Sequence, residues 1–272
     1  MLKGKRLAVI GVGKIGEALI TGLLKQNVVQ REDILATVKQ ESSIQRVRDR
    51  LGIETSRENA EAIIDRDLIL LCVKPQNMDK VAREIAENIK PSQLVITVAA
   101  SVSTAFVQER LGKPVPVVRA MPNTPCVLNT GMTALCGGLY ARPEHVAAAE
   151  SIFKCVGQTV FLDESLMDGV TGLSGSGPAY LYVIVESLAE AGVKLGIPRD
   201  VSTLLAAQTM LGAARMVLES KAHPALLKDM VTTPAGCTID GLLELEEGKL
   251  RVTLVKAVVK AAERARELVQ GS

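Results

Sequence analysis

The chain has 272 residues, and its 32 Lys and Arg against 30 Asp and Glu give a formal net charge of +2. Aromatic residues make up 2% of it and Trp is absent, whereas a nucleic-acid-binding protein usually combines a concentrated positive surface with aromatic stacking platforms. The composition therefore argues against a nucleic-acid partner. The length suffices for a dinucleotide-binding domain and a second, smaller domain.

The N-terminal segment and the longest uncharged stretch bear on localisation. Only four consecutive apolar residues, Leu7 to Ile10, lie between the basic residues near the N-terminus and Gly11, fewer than the core of a secretory signal needs. The uncharged residues 120–141 are interrupted by two prolines and three glycines, which argues against a membrane span. We expect a soluble, cytoplasmic protein without a membrane partner.

Cysteine and histidine give no sign of a metal site. The five cysteines are scattered and form no C-x-x-C pair, so we expect buried free thiols rather than a zinc site or a disulfide framework. His145 and His223 lie beside prolines at helix-starting stretches. We expect them to be surface or capping residues, and we expect no bound metal.

The first 160 or so residues alternate short apolar runs with helical patterns. This alternation predicts an α/β fold, a Rossmann-type doubly wound parallel sheet, and unbroken apolar strands fit a sheet covered on both faces. The predicted helices include residues 15–25, 77–88 and 143–155. The predicted strands are Leu7–Ile10, Ile34–Val38, Leu68–Val73, Leu94–Val98, Val115–Val118, Met132–Cys136 and Val156–Phe161.

Residues 165–270 predict helices only, at residues 179–191, 198–220, 224–231, 239–247 and 251–269. The first of these is apolar on nearly all sides, so it must be covered on several of them. In a domain of this size the simplest cover is a second copy of the chain. We therefore expect residues 1–164 to bind a dinucleotide and residues 165–272 to form an all-helical substrate-binding and dimerisation domain of a homodimer, with higher homo-oligomers left open.

A glycine-rich turn follows the first predicted strand directly, with the sequence Gly11-Val12-Gly13-Lys14-Ile15-Gly16. In this spacing the first glycine permits a tight turn, the second lets the backbone approach a pyrophosphate, and the third lets the helix pack on the strand. The helix N-terminus then faces the phosphates. With its strand-turn-helix context, the turn predicts a dinucleotide site rather than a bare tight turn.

The end of the second strand indicates which dinucleotide binds. An Asp or Glu there would bind the ribose 2′-hydroxyl of NAD, but this chain has Thr37, Val38 and Lys39. A hydroxyl and a cation suit a 2′-phosphate, although Lys39 alone is equally consistent with a solvated lysine, and Glu41 stands nearby. The missing acid favours NADPH, with NADH as a weaker alternative.

Several segments together resemble the pyrroline-5-carboxylate reductase family over almost the whole chain, in the right order and spacing. They are the glycine turn, Val73-Lys74-Pro75, Met121-Pro122-Asn123-Thr124-Pro125, residues 172–180 from Gly172 to Tyr180, and residues 231–239 from Val231 to Ile239. The resemblance implies an N-terminal Rossmann domain, a helical domain that interlocks with its twin, and NADPH-dependent reduction of L-Δ1-pyrroline-5-carboxylate to L-proline, the last step of proline biosynthesis.

The resemblance also implies site residues. By resemblance the cofactor would contact Val12, Gly13, Lys14, Ile15, Thr37, Val38, Asn59, Cys72, Val73, Lys74, Pro75, Val98, Ala99 and Ala100. The glycine turn and the end of the second strand add Gly11, Gly16 and Lys39 to this predicted cofactor site. The substrate would contact Glu164, Ala235, Gly236, Cys237 and Thr238. Here the loop departs from the family's usual Ser-Pro-Gly-Gly, and an alanine at 235 would be strained if the backbone there needs a positive φ.

The residues of this loop are consistent with that chemistry. Thr238 precedes a predicted helix, so it is expected to be an N-cap, and from spacing alone it would do no more than cap. A glycine-containing loop at a helix N-terminus also presents amides to an anion such as the substrate carboxylate. The Thr238 hydroxyl would then reach the imine nitrogen, where we predict its catalytic role.

Three alternatives stand beside this interpretation. The spacing of Gly172, Gly175 and Gly177 resembles 3-hydroxyacid dehydrogenases, but Leu181 and Val185 occupy the positions of that family's catalytic Lys and Asn. A reductase of a related cyclic imine is closer. A non-enzymatic nucleotide-sensing protein on the same fold would be expected to have a degraded substrate loop.

Overall fold

The computed structural model describes residues 2–270. It contains two compact units, Met1–Ser176 together with Lys260–Ser272, and Gly177–Val259. The domain boundary predicted between residues 164 and 165 stays a prediction.

The first unit is built around one eight-stranded sheet of order β3-β2-β1-β4-β5-β6-β7-β8. The six strands β1 to β6 run parallel to one another, which is the predicted Rossmann-type arrangement. The strands are Leu7–Ile10 (β1), Ile34–Thr37 (β2), Glu54–Ser56 (β3), Leu68–Leu71 (β4), Leu94–Thr97 (β5), Val117–Met121 (β6), Gly131–Gly137 (β7) and Gly157–Phe161 (β8).

Helices cover both faces of this sheet. Alternate residues of β1 show the two layers, because Leu7 and Val9 belong to one buried cluster and Ala8 and Ile10 to the other. The predicted α/β fold class is confirmed. The helices of this unit that precede residue 177 are Lys14–Lys25 (α1), Ser42–Leu51 (α2), Asn59–Ala62 (α3), Met78–Ile85 (α4), Thr104–Leu111 (α5), Pro143–Phe153 (α6) and Met167–Val170 (α7).

Two features of the sheet differ from the prediction. First, β7 runs antiparallel to β6, and β8 is parallel to β7, so the predicted parallel arrangement holds for β1 to β6 but not for the pairing of β6 with β7. The connection between β6 and β7 has only a 3₁₀ turn, Thr124–Leu128, whereas a parallel return requires a longer crossover. Second, the strand β3 has three residues and carries the charged Glu54, too weak a pattern to be predicted.

The second unit is helical. Its helices are Gly177–Lys194 (α8), Arg199–Ser220 (α9), Pro224–Met230 (α10), Cys237–Glu247 (α11) and the first part of Leu250–Gln270 (α12). Within the described stretch 165–270 no strand is found, as predicted. The apolar helix α8 leaves Leu181, Tyr182 and Val183 exposed, so this part of its apolar surface is not covered by the other helices of its own unit.

Helix α9 is long and apolar enough to cross a membrane by length and composition, although only 11% of its apolar window is buried. One such helix is weak evidence for a membrane span, because core helices of soluble proteins can have the same length and composition. The uncharged stretch at residues 120–141 forms strands and turns instead of an α-helix.

The histidines and cysteines are placed mostly as predicted. His145 Nδ1 accepts the Arg142 amide and His223 Nδ1 accepts the Ala225 amide, so both cap helices. All five cysteines are free, and three are buried. The prediction of buried thiols was wrong for Cys237, which is exposed, because it begins α11 on the surface of its unit. It holds only partly for Cys72, which is half-buried.

Candidate functional site

The turn after β1 is fixed by a left-handed glycine. Gly11 has φ +85°, and a Cβ there would lie 2.6 Å from Val73 Cγ1, so no other residue fits without displacing the strand end. The amides of Gly11 and Val12 both donate to the Thr37 carbonyl, at 3.1 and 2.9 Å. These bonds fasten the turn to the end of β2.

The N-terminus of α1 is open to an anion. Gly13 is the N-cap, no side chain of the described residues caps it, and a Cβ at Gly13 would meet no atom within 4 Å. The first helical hydrogen bond is donated by Glu17 to the Gly13 carbonyl at 2.9 Å. The amides before Glu17 thus have no acceptor in the helix, which suits a pyrophosphate.

Gly16 was expected to be required for close packing of α1 on the strand, and the structure shows no such requirement. A Cβ there would lie 3.6 Å from Cys72 and from Val9 Cγ1, an ordinary van der Waals distance. Close packing of helix on strand therefore does not by itself demand glycine at this position.

A series of three linked hydrogen bonds connects the ends of β1 and β2 to α4. The Gly11 amide donates to Thr37 Oγ1 at 3.2 Å, and that hydroxyl donates to Asn59 Oδ1 at 2.6 Å. Asn59 Nδ2 donates in turn to Glu84 Oε2 at 3.1 Å. Thr37 is buried, so these hydrogen bonds fix the positions of the loops where a ribose would bind.

A cavity of about 480 Å³ lies beside these hydrogen bonds. Six predicted cofactor residues line it: Gly11, Thr37, Val38, Lys39, Asn59 and Val73. Six more were not predicted: Arg57, Glu58, Asn77, Lys80, Val81 and Glu84. Arg57 directly follows β3, and because that strand is too short to be predicted, the sequence gives no signal for Arg57.

The remaining predicted cofactor residues do not line this cavity, but their loops share its edge of the sheet. The Cys72 amide donates to the Ile10 carbonyl at 2.8 Å, and the Val98 amide to the Leu71 carbonyl at 3.1 Å. These bonds place the loops after β1, β4 and β5 side by side at the carboxyl ends of the strands, where such sheets bind ligands. The residues are Val12, Gly13, Lys14, Ile15, Gly16, Cys72, Lys74, Pro75, Val98, Ala99 and Ala100.

The loop after β5 contains backbone strain for which the sequence gives no signal. Ser101 is buried and has φ +60°, a left-handed conformation that costs a non-glycine residue about 1–2 kcal/mol. Such strain often occurs at functional sites. It directly follows Ala99 and Ala100, two of the predicted cofactor residues.

Glu164, predicted near the substrate, is tied to a helix N-terminus in the first unit. Its carboxylate accepts the Thr104 amide at 2.8 Å and the Thr104 hydroxyl at 2.6 Å. Arg119, whose side chain is 4% exposed, lies 3.5 Å from Glu164 and 3.6 Å from Asp168. The glutamate therefore sits in a charged network that the sequence did not reveal.

The Met121–Pro125 motif has a visible structural role. Asn123 Oδ1 accepts the Met132 amide at 2.9 Å, and Asn123 Nδ2 donates to the Ser174 carbonyl at 3.3 Å. A Cβ at Gly175 would lie 2.6 Å from Met121 Cε. Two of the motifs that carried the resemblance thus pack on each other.

The predicted substrate loop forms a tight turn in the second unit. The Gly236 amide donates to the Thr233 carbonyl at 3.0 Å, and Ala235 has φ +57°. The strain expected at this alanine is therefore present. A Cβ at Gly236 would overlap Thr233 Oγ1, so glycine is required there.

Thr238 is not an N-cap, and that prediction was wrong. Helix α11 begins one residue earlier, at Cys237, with Gly236 as the N-cap and without a capping side chain among the described residues. The turn ends at Gly236, so the helix starts immediately after it. The Thr238 hydroxyl is consequently not required for capping, and the amides of Cys237 and Thr238 are left at an uncapped N-terminus.

Family comparisons match both parts of the chain. Residues 164–268 match the model described as pyrroline-5-carboxylate reductase dimerisation, and residues 6–101 match that of NADP oxidoreductase, coenzyme F420-dependent. A pyrroline-5-carboxylate reductase of Methanosarcina acetivorans is 41% identical over 98% of this chain and 99% of its own length. One from Arabidopsis thaliana is 37% identical over 97% and 96%.

Solved structures agree. A pyrroline-5-carboxylate reductase from Coxiella burnetii superposes with a TM-score of 0.91 at 33% identity, covering 97% of this chain and 98% of that one. The Plasmodium falciparum pyrroline carboxylate reductase with NADP bound gives 0.89 at 29% identity, covering 99% and 100%. Similarity of this extent identifies the chain as a member of the pyrroline-5-carboxylate reductase family.

Proposed function

We propose that this chain reduces L-Δ1-pyrroline-5-carboxylate to L-proline with NADPH. The observation that carries the proposal is identity above 35% to reductases of that name over nearly the full length of both chains. The chain is accordingly an NAD(P)H-dependent oxidoreductase that acts on a C=N bond, in proline biosynthesis.

The first unit has the features that NADPH needs. The open backbone at Gly13 and the amides at the α1 N-terminus suit the pyrophosphate. The cavity beside Thr37 and Asn59 suits the adenosine ribose, and Lys39 lines it without a carboxylate at the end of β2. When bound, the reduced nicotinamide supplies hydride for the imine carbon.

The substrate loop supplies polar groups for an imino acid. We assign the substrate carboxylate to the amides of Cys237 and Thr238, since the Gly236 amide already donates to Thr233. The Thr238 hydroxyl would hydrogen-bond the imine nitrogen. Because a protonated imine is already a strong electrophile, holding it in place is most of what these groups must do.

Three further assignments accompany this function. Glu164 is proposed as a substrate-site residue held by Thr104 and Arg119. The family match to a dimerisation model supports self-association, and we propose a homodimer formed through residues 165–272. We also propose that the protein acts in the cytoplasm.

The test is a panel of substrates in which the oxidation of NADPH is followed by its absorbance. We expect oxidation of NADPH with Δ1-pyrroline-5-carboxylate, less with its six-membered homologue, and none with a 3-hydroxy acid, with proline identified as product by mass spectrometry. Failure to form proline with either nicotinamide would contradict the assignment. Faster turnover of the six-membered imine would redirect it to a related cyclic imine.

A further inference from the structure

Arg57 lies beside the end of β2, the strand end at which a Rossmann-type site binds the ribose. It directly follows β3, and Ser56 of β3 is in register with Thr37 of β2. The Val38 amide donates to the Ser56 carbonyl at 3.1 Å. Because the two strands are parallel, Arg57 and Lys39 leave the sheet at the same edge, and both line the cavity.

The other charged residues around the cavity lie on α4 or directly beside Arg57. Lys80 and Glu84 belong to α4, which follows β4, and the Glu84 carboxylate accepts a hydrogen bond from Asn59. Glu58 is the neighbour of Arg57. The adenosine ribose binds beyond the end of β2 in this fold, so the 2′-phosphate would face Lys39 and Arg57 rather than α4.

Arg57 forms an ion pair with Glu41, whose carboxylate would compete with a bound phosphate for the guanidinium. Its Nη1 lies 3.2 Å from Glu41 Oε2, with 51% of the arginine and 75% of the glutamate side chain exposed. Exposed ion pairs of this kind contribute ~0–1 kcal/mol. A guanidinium binds phosphate through two parallel hydrogen bonds that are stronger than those of neutral groups, so a 2′-phosphate can displace the carboxylate.

We infer that Arg57 determines cofactor specificity by binding the 2′-phosphate of NADPH together with Lys39, and that Glu41 limits this specificity by competing for Arg57. The inference rests on the proposed use of NADPH. It has an unusual consequence: removal of Glu41 raises the preference for the phosphorylated cofactor above that of the unchanged chain.

The test measures binding without turnover. Isothermal titration calorimetry of the full chain would give Kd for adenosine 2′,5′-bisphosphate and for 5′-AMP, and the ratio of the two reports the 2′-phosphate alone. The variants are Arg57→Gln, Glu41→Gln and the double variant. Arg83→Gln is the matched control, since Arg83 is an exposed arginine of α4 that pairs with Asp79 and does not line the cavity.

Arg57→Gln is expected to reduce the preference for the bisphosphate at least about tenfold, and Arg83→Gln to change it less than about twofold. Glu41→Gln is expected to raise it about threefold, with a smaller gain when Arg57 is absent. An Arg57→Gln ratio equal to that of Arg83→Gln would overturn the inference alone. Equal affinity of the unchanged chain for both nucleotides would overturn the NADPH assignment and the inference together.

Discussion

Thr37 Oγ1 and Asn59 Oδ1 lie 2.6 Å apart, so the end of β2 is joined to the first residue of α3. The same hydroxyl accepts the Gly11 amide at 3.2 Å. One buried hydroxyl therefore acts as acceptor for the glycine turn and as donor to the asparagine. Both partners line the cavity proposed for the adenosine ribose.

We expect Thr37→Val to weaken cofactor binding. Valine keeps the volume of threonine but leaves Asn59 Oδ1 without its donor, and a hydrogen bond of ~1 kcal/mol corresponds to about a fivefold rise in KM for NADPH. Steady-state kinetics would measure this rise, with kcat nearly unchanged. Thr55→Val is the control, because Thr55 is a buried threonine of β3 whose hydroxyl donates to Ile53 and does not line the cavity. A similar KM in both variants would contradict the role of Thr37.

We expect Thr238→Ala to lower turnover at least about tenfold, or ~1.4 kcal/mol of barrier, and to leave NADPH affinity unchanged. The hydroxyl proposed for the imine nitrogen would be lost, while the backbone of α11 stays intact because Thr238 is not its cap. Thr238→Ser should restore most of the activity. Thr232→Ala is the control, since that hydroxyl donates only to the Lys228 carbonyl at 2.9 Å. Unchanged turnover in Thr238→Ala would remove the assigned role.

Ala235→Gly should stabilise the protein. A left-handed alanine costs ~1–2 kcal/mol, and the greater conformational entropy that glycine loses on folding offsets ~0.5–1 kcal/mol of that gain. The free energy of unfolding should therefore rise by up to about 1.5 kcal/mol. Urea unfolding at fixed protein concentration would measure it. Lys249→Gly offers a comparison, because Lys249 has φ +56° outside the substrate loop. Both variants should be stabilised, and only Ala235→Gly should change KM for the imine. A loss of stability in Ala235→Gly would contradict the assigned strain.

The thiols should differ sharply in reactivity at pH 8. Burial raises the pKa of Cys72 and of Cys136 to about 12, so below that pH both stay largely protonated and unreactive. Cys237 is exposed at the start of α11. Brief maleimide treatment followed by peptide mass spectrometry should label Cys237 first, and proline should slow that labelling. Cys237→Ser should abolish the fast phase. Rapid labelling of Cys72 would contradict its placement.

The fold could be predicted to the extent that apolar runs and turn residues are local signals. The runs at Leu7–Ile10 and Leu94–Thr97 are continuous and fully buried, so they were evident from the sequence. The direction of β7 was not, because strand direction depends on the connection, and residues 122–130 contain no helix pattern to reveal it. The three residues of β3 were too few to detect.

The site could be predicted where a motif fixes the backbone. The glycine turn and the Thr233–Gly236 turn are of this kind. The role proposed for Arg57 could not be predicted, because it depends on the pairing of β2 with β3, and these strands are distant in sequence. The Arg119–Glu164 pair joins residues 45 positions apart for the same reason.

The near absence of buried side chains in Gly177–Val259 has a thermodynamic consequence. In this stretch, all of which is described, only Ala189, Ser202 and Ala206 are buried, far too little apolar burial to offset the conformational entropy of ordering the helices. The helices must therefore draw their stability from association, which makes folding and assembly a single linked equilibrium governed by mass action. Dilution alone should then lower the melting temperature, and a cell that makes little of this protein would hold a larger share of it unfolded.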